Sequence, residues 1–98
     1  MAAYLVVTRD RMLDAEAYEA YGAKARPTVA GYGGKAVIAN GRLRAVEGET
    51  PDGVIVLEFP TFEAAEAWYF GPEYQAVIGE RLGSTQGRAV IVEGVPAG

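Results

Sequence analysis

The sequence predicts an α+β domain, a four-stranded antiparallel sheet with helices packed on one of its faces. Three observations predict it. Short β-branched runs recur along the chain: AYLVVT at 3–8, KAVIA at 35–39, VIVLEF at 54–59 and RAVIVE at 88–93. After the first and third of these, apolar residues recur instead at steps of three and four, the helical period. The chain has 98 residues, room for one hydrophobic core, so all the elements must share it. Residues 1–94 are expected to form this single domain, with 95–98 as a tail.

The first strand leads to Asp14, whose carboxylate suits an N-cap, with Glu16 near the positive end of the helix that follows. Tyr18, Tyr21 and Ala25 then share one face of that helix. Pro27 lacks an N–H and is expected to stop or kink it, leaving a further turn to Tyr32 that Gly33-Gly34 closes. After the second strand, Asn40-Gly41 predicts a tight hairpin, because both positions tolerate positive φ, with a returning arm over 42–47. A turn over 48–53 leads to VIVLEF, the most apolar strand. Thr61 is placed to cap a helix in which Phe62, Ala65, Trp68 and Tyr69 share a face. Gly71-Pro72 ends it, and Pro72 suits the first turn of a helix carrying Tyr74, Val77, Ile78 and Arg81. Gly83 and Gly87 are expected to flank a loop before the last strand. The resulting βαββαβ order is the split arrangement of ferredoxin-like domains, in which the first and third strands are central.

The strands do not alternate apolar with polar residues, as a sheet with one wet face would. Along the third, Val54 and Val56 oppose Ile55, Leu57 and Phe59; Tyr4 and Val6 oppose Leu5 and Val7; Ile91 opposes Val90 and Val92. Four strands at about 4.8 Å spacing make a sheet some 19 Å wide, and two helices about 10 Å across cover one such face only. The other face calls for a second copy packed sheet to sheet, a twofold homodimer, the alternative being strands short and twisted enough for loops to cover them.

Composition removes whole classes of chemistry. With neither cysteine nor histidine, the chain has no disulfide, no thiolate nucleophile, no Cys/His zinc site and no histidine-bound haem, and no cofactor or metal is expected. It also lacks the side chain best suited to moving protons near neutral pH. Net charge is −4 and the nine basic residues are scattered, so nucleic acid is not an expected partner. The apolar runs are too short for a membrane span, MAAYLVV lacks the form of a signal peptide, and a cytoplasmic location is expected.

EFPTFEAAEAWYFGPEY (58–74), RPTVAGYGG (26–34), VEG (46–48), Arg81 and the closing VIVEG (90–94) together resemble a small bacterial family, domain of unknown function 1330. The resemblance runs from about Tyr4 to Gly94 and implies the dimeric α/β-barrel superfamily, whose ferredoxin-like subunits pair their sheets. That superfamily contains cofactor-free monooxygenases, lactone isomerases, haem-handling enzymes and ligand sensors, so the resemblance does not choose an activity. One position departs from the family: Gly71 stands where a small hydroxylated residue is usual, which removes a side-chain cap and a hydroxyl.

Two residues stand out as candidates for catalysis. Glu58 lies in a central strand between Leu57 and Phe59, where an ionised carboxylate is costly unless paired. It reads either as a proton carrier or as a strand-end charge bonded to an arginine. Arg81 is its natural partner, either steadying an oxyanion with its guanidinium fork or simply pairing with Glu58. Tyr18, Tyr21, Trp68, Tyr69 and Tyr74 form an aromatic group that reads as core packing or as the wall of a ligand site. Two functions follow: a homodimeric module that binds or senses a small aromatic or carbonyl-bearing molecule, or a cofactor-free enzyme in which Glu58 carries a proton and Arg81 stabilises an oxyanion.

Overall fold

The computed structural model describes residues 1–96; the end of the expected tail, 97–98, lies outside the described residues. In chain order the elements are β1 (Ala3–Met12), α1 (Ala15–Ala30), β2 (Lys35–Ala39), β3 (Gly53–Phe59), α2 (Phe62–Phe70), α3 (Pro72–Gln75), α4 (Ile78–Ser84) and β4 (Thr85–Glu93). The sheet runs β2-β3-β1-β4 with every pair antiparallel. This is the ferredoxin-like fold, with the two most apolar strands at its centre.

Register sorts the side chains onto two faces. Leu5 lies between Leu57 and Ile91, and this row packs under the helices with Phe59, Ala65, Trp68 and Tyr74. Its neighbour Val6 lies between Val56 and Val90 and points the other way. On that second face no helix of the described residues lies over the strands, and Val90 and Val92 remain 56% and 48% exposed.

Both predicted caps form. Asp14 Oδ1 accepts from the Ala17 N–H at 3.0 Å, and Thr61 Oγ1 accepts from the Ala64 N–H at 3.0 Å. Gly33 takes φ +77° and lets the Gly34 N–H reach the Val29 carbonyl at 3.1 Å, closing α1 as expected.

Four expectations are corrected. Pro27 does not end α1, which runs through it to Ala30. The carbonyl that loses its N–H belongs to Ala23, an exposed residue, so the missing bond is not a buried one. The hairpin arm over 42–47 is not a strand, although Asn40 does adopt φ 57°. All five residues of β2 are exposed, so a further strand beside it would bury little and gain little. The single helix expected to begin at Pro72 and carry Tyr74, Val77, Ile78 and Arg81 is broken into α3 and α4. No loop separates α4 from β4, because Thr85 turns straight into extended backbone (φ −143°, ψ 161°). Gly87 is inside β4, where a Cβ would collide with the Thr8 carbonyl oxygen. Its glycine marks a close strand approach, not a loop.

Candidate functional site

The helix layer does not cover the sheet evenly. α1 leans on α3 and α4, and a cleft of about 220 Å³ opens between α1 and the β2–β3 side of the sheet. Tyr18, Tyr21 and Ala25 form one wall, Ile55 and Leu57 the other, and Trp68 lies behind them. Ala36 and Ala39 line the β2 side, and their small side chains leave the space open.

The indole of Trp68 is held in place from α1. Its Nε1–H donates to Thr28 Oγ1 at 2.9 Å, and the Thr28 hydroxyl donates to the Ala25 carbonyl at 2.6 Å. The ring also packs against Tyr74 and Phe59, with centroid distances of 4.0 and 5.6 Å.

A chain of polar contacts runs from the core to the cleft wall at Tyr21. Arg81 Nε donates to the Tyr74 hydroxyl at 3.0 Å, and the Tyr74 and Tyr21 hydroxyls are 2.7 Å apart. Burial pushes the Tyr21 phenol far above its ordinary range, and the neighbouring Tyr74 pushes it further, so Tyr21 is a neutral donor and acceptor under all ordinary conditions. Burial works against the charge on Arg81, but the surrounding phenols of Tyr74, Tyr21 and Tyr69 outweigh it and raise its pKa.

At the end of the cleft nearest the start of α1 is a second buried cation. Arg9 is only 8% exposed; its Nε donates to Asp52 Oδ2 at 3.1 Å and its guanidinium lies over the Tyr18 ring, 5.1 Å from the centroid. Gly53 makes room for it, since a Cβ there would collide with Arg9 Nη2. Among the described residues, Arg9 Nη1 is a buried polar atom without a partner. Sequence reasoning counted Arg9 only among the scattered basic residues. The available sign was its period-two alignment with Leu5 and Val7, which places it on the covered face.

Of the aromatic candidates, Tyr18, Tyr21 and Trp68 come together at the cleft, and Tyr74 is fully buried behind them. Tyr69 is elsewhere, lining a separate hollow of about 210 Å³ with Phe62, Phe70 and Ile91. The expected meeting of Glu58 with Arg81 is corrected. Glu58 sits between Tyr4 and Lys35 in the register and alternates with Leu57 and Phe59, so it points to the open face, away from the helices. Its nearest cation is Lys35, with Nζ 3.8 Å from Oε2, while Arg81 is under the helices against Tyr74. The sheet separates the two. Among the described residues no group of three or more carboxylates gathers in a way that could hold a metal ion, and no helix is long and apolar enough to cross a membrane.

Comparison with known proteins agrees with the fold. A family model described as a domain of unknown function, DUF1330, matches residues 2–95. No curated protein matches the chain significantly. Among solved structures, a protein of unknown function from Rhodopseudomonas palustris superposes with a TM-score of 0.79 at 22% identity, over 98% of this chain and 84% of that one. A cofactor-independent oxygenase from Streptomyces nogalater superposes with a TM-score of 0.58 at 9% identity, over 98% and 94% of the two chains. A protein from Bacteroides fragilis, described as dimeric, of unknown function and ferredoxin-like, gives a TM-score of 0.53 at 14% identity, over 94% of each chain.

Proposed function

This chain belongs to the DUF1330 family, and from its cleft and its uncovered sheet face we propose that it acts as a homodimer binding a small aromatic or carbonyl-bearing molecule. The observation that carries the reading is the cleft itself, apolar over most of its wall, aromatic at Tyr18, Tyr21 and Trp68, and edged by few polar groups. That is the usual make-up of a small-molecule site. The volume suits a guest of about one ring with a short substituent.

The dimer follows from the second face. Val6, Val56, Val90 and Val92 form an apolar surface with Ile38 on the neighbouring edge strand, and a second copy laid sheet to sheet would cover it. The dimeric description of the Bacteroides fragilis neighbour supports the same assembly. Sedimentation should return twice the chain mass of 10.4 kDa. Val6→Asp should return the single mass with the fold intact, because Val6 points away from the helix-covered core. A wild type that sediments as one chain at every concentration would end the dimer proposal.

A second reading, a cofactor-free enzyme of monooxygenase or isomerase type, draws support from the buried Arg81 charge wired toward the cleft wall and from the Streptomyces nogalater neighbour. Glu58 does not serve this cleft as proton carrier, because it faces the other side of the sheet.

The binding proposal is tested by ligand-detected NMR with a panel of single-ring aromatic ketones and acids. Binding should disappear in Ala39→Leu, which fills the cleft, while the melting temperature holds or rises. Binding that survives this change would place the guest elsewhere.

A further inference from the structure

The Arg81–Tyr74–Tyr21 chain has a direction, and the direction says what kind of atom the cleft receives. A guanidinium only donates, so the Arg81 Nε–H at 3.0 Å occupies a lone pair of the Tyr74 oxygen. Between Tyr74 and Tyr21, 2.7 Å apart, one proton lies in the bond. If Tyr21 supplied it, the Tyr74 hydroxyl proton would have no acceptor, and Tyr74 is 1% exposed. A buried donor left without a partner is costly, so the opposite order is favoured by about five-fold or more. Tyr74 therefore donates to Tyr21, and the Tyr21 proton is left over. Among the described residues no acceptor other than Tyr74 bonds the Tyr21 hydroxyl, and Tyr21, unlike Tyr74, belongs to the cleft wall.

We infer that Tyr21 presents its O–H to the cleft as a fixed donor, and that the guest meets it with an oxygen that only accepts: a ketone carbonyl, or an enolate or phenolate oxygen. The Arg81 charge at the far end polarises both phenols in the same sense, strengthening the last donor in the row. An oxygen that carries or develops negative charge gains most from this arrangement, and a hydrocarbon of the same shape gains nothing.

The inference rests on the cleft being a binding site, and the experiment separates the two. Acetophenone and α-methylstyrene have nearly the same shape, with C=O in one where the other has C=CH2. Titrated by NMR, the wild type should bind the ketone about ten-fold more tightly, the worth of about 1.4 kcal/mol. The carbonyl resonance of carbon-13-labelled acetophenone should move downfield on binding, a readout that needs no variant. Tyr21→Phe should bind both probes alike, and Tyr74→Phe should keep only part of the preference. Equal binding of the two probes to the wild type with an unmoved carbonyl resonance overturns the donor and leaves the cleft standing. A full preference in Tyr74→Phe overturns the relay. If neither probe binds at millimolar concentration, the cleft reading falls and takes this inference with it.

Discussion

Trp68 and Thr28 join α2 to α1 through one hydrogen bond of 2.9 Å, from the indole N–H to the threonine hydroxyl, and this bond fixes the back of the cleft. Because Thr28 hands its own proton to Ala25, both of its bonds are made inside a partly buried environment. Thr28→Val keeps the shape and removes the acceptor, leaving the indole donor unpaired. The expected cost is about 1–3 kcal/mol in urea denaturation, with Thr28→Ser close to wild type. An unchanged denaturation midpoint for Thr28→Val would mean the bond contributes nothing.

Gly34 is required by space. A Cβ there would lie 2.6 Å from Phe59 Cε1 and 2.7 Å from Val29 Cγ1, both core side chains. Gly34→Ala should lower stability by about 1–3 kcal/mol, the usual range for forcing a methyl into a packed core. Gly41 has nothing within 4 Å of its missing Cβ, and Gly41→Ala should stay within about 0.5 kcal/mol of wild type. Paired thermal melts check the contrast.

The two ion pairs on α1's side of the molecule should behave differently. Arg9 is buried and, among the described residues, Asp52 is its only carboxylate partner, so Asp52→Ala leaves a buried charge and should cost about 1–3 kcal/mol. The Lys24–Glu80 pair, 2.9 Å long, is exposed on both sides, and Lys24→Ala should cost about 0–1 kcal/mol. Equal losses in chemical denaturation would contradict the burial argument.

The Tyr32 hydroxyl donates to Glu73 Oε2 at 2.8 Å. That bond lowers the Glu73 carboxyl below its ordinary 4.5 and raises the Tyr32 phenol above its ordinary 10.0. A lowered carboxylate adds stability above the unfolded value and loses it as pH falls through the lowered one. A raised phenol adds stability below the unfolded value and loses it as pH rises through the raised one. The bond is therefore complete across neutral pH and fades at both ends. In Tyr32→Phe, NMR titration should find the Glu73 carboxyl moved up toward its ordinary value, the helix backbone bond keeping the smaller part of the shift. A carboxyl that stays low would assign the shift to the helix backbone instead.

The topology was legible because each strand is a compact β-branched run and the two longest helices start at capping side chains, Asp14 and Thr61, signals that need no distant partner. Pro27 misled, since a proline near the end of a helix and beside exposed backbone costs little. Asn40-Gly41 misled in another way: Asn40 takes the turn conformation, but the arm RLRAVE has only Leu43 and Ala45 on one face and would lie beside an exposed β2, too little burial to hold it as a strand. The site was half legible. Helical spacing brought Tyr18, Tyr21 and Trp68 together, but the same period-two rule that sets Leu57 and Phe59 under the helices sends Glu58 away from Arg81. The role of Arg9 depends on Gly53 and Asp52, residues 44 and 43 positions away that no local pattern links to it.

The chain has a single tryptophan, and its ring stands at the cleft with Tyr74 4.0 Å behind it. The protein thus carries its own optical probe, free of interference from any other indole. On the proposed function, a guest entering the cleft would change the polarity around that chromophore, so occupancy would be followed as a change in ultraviolet emission in unlabelled material.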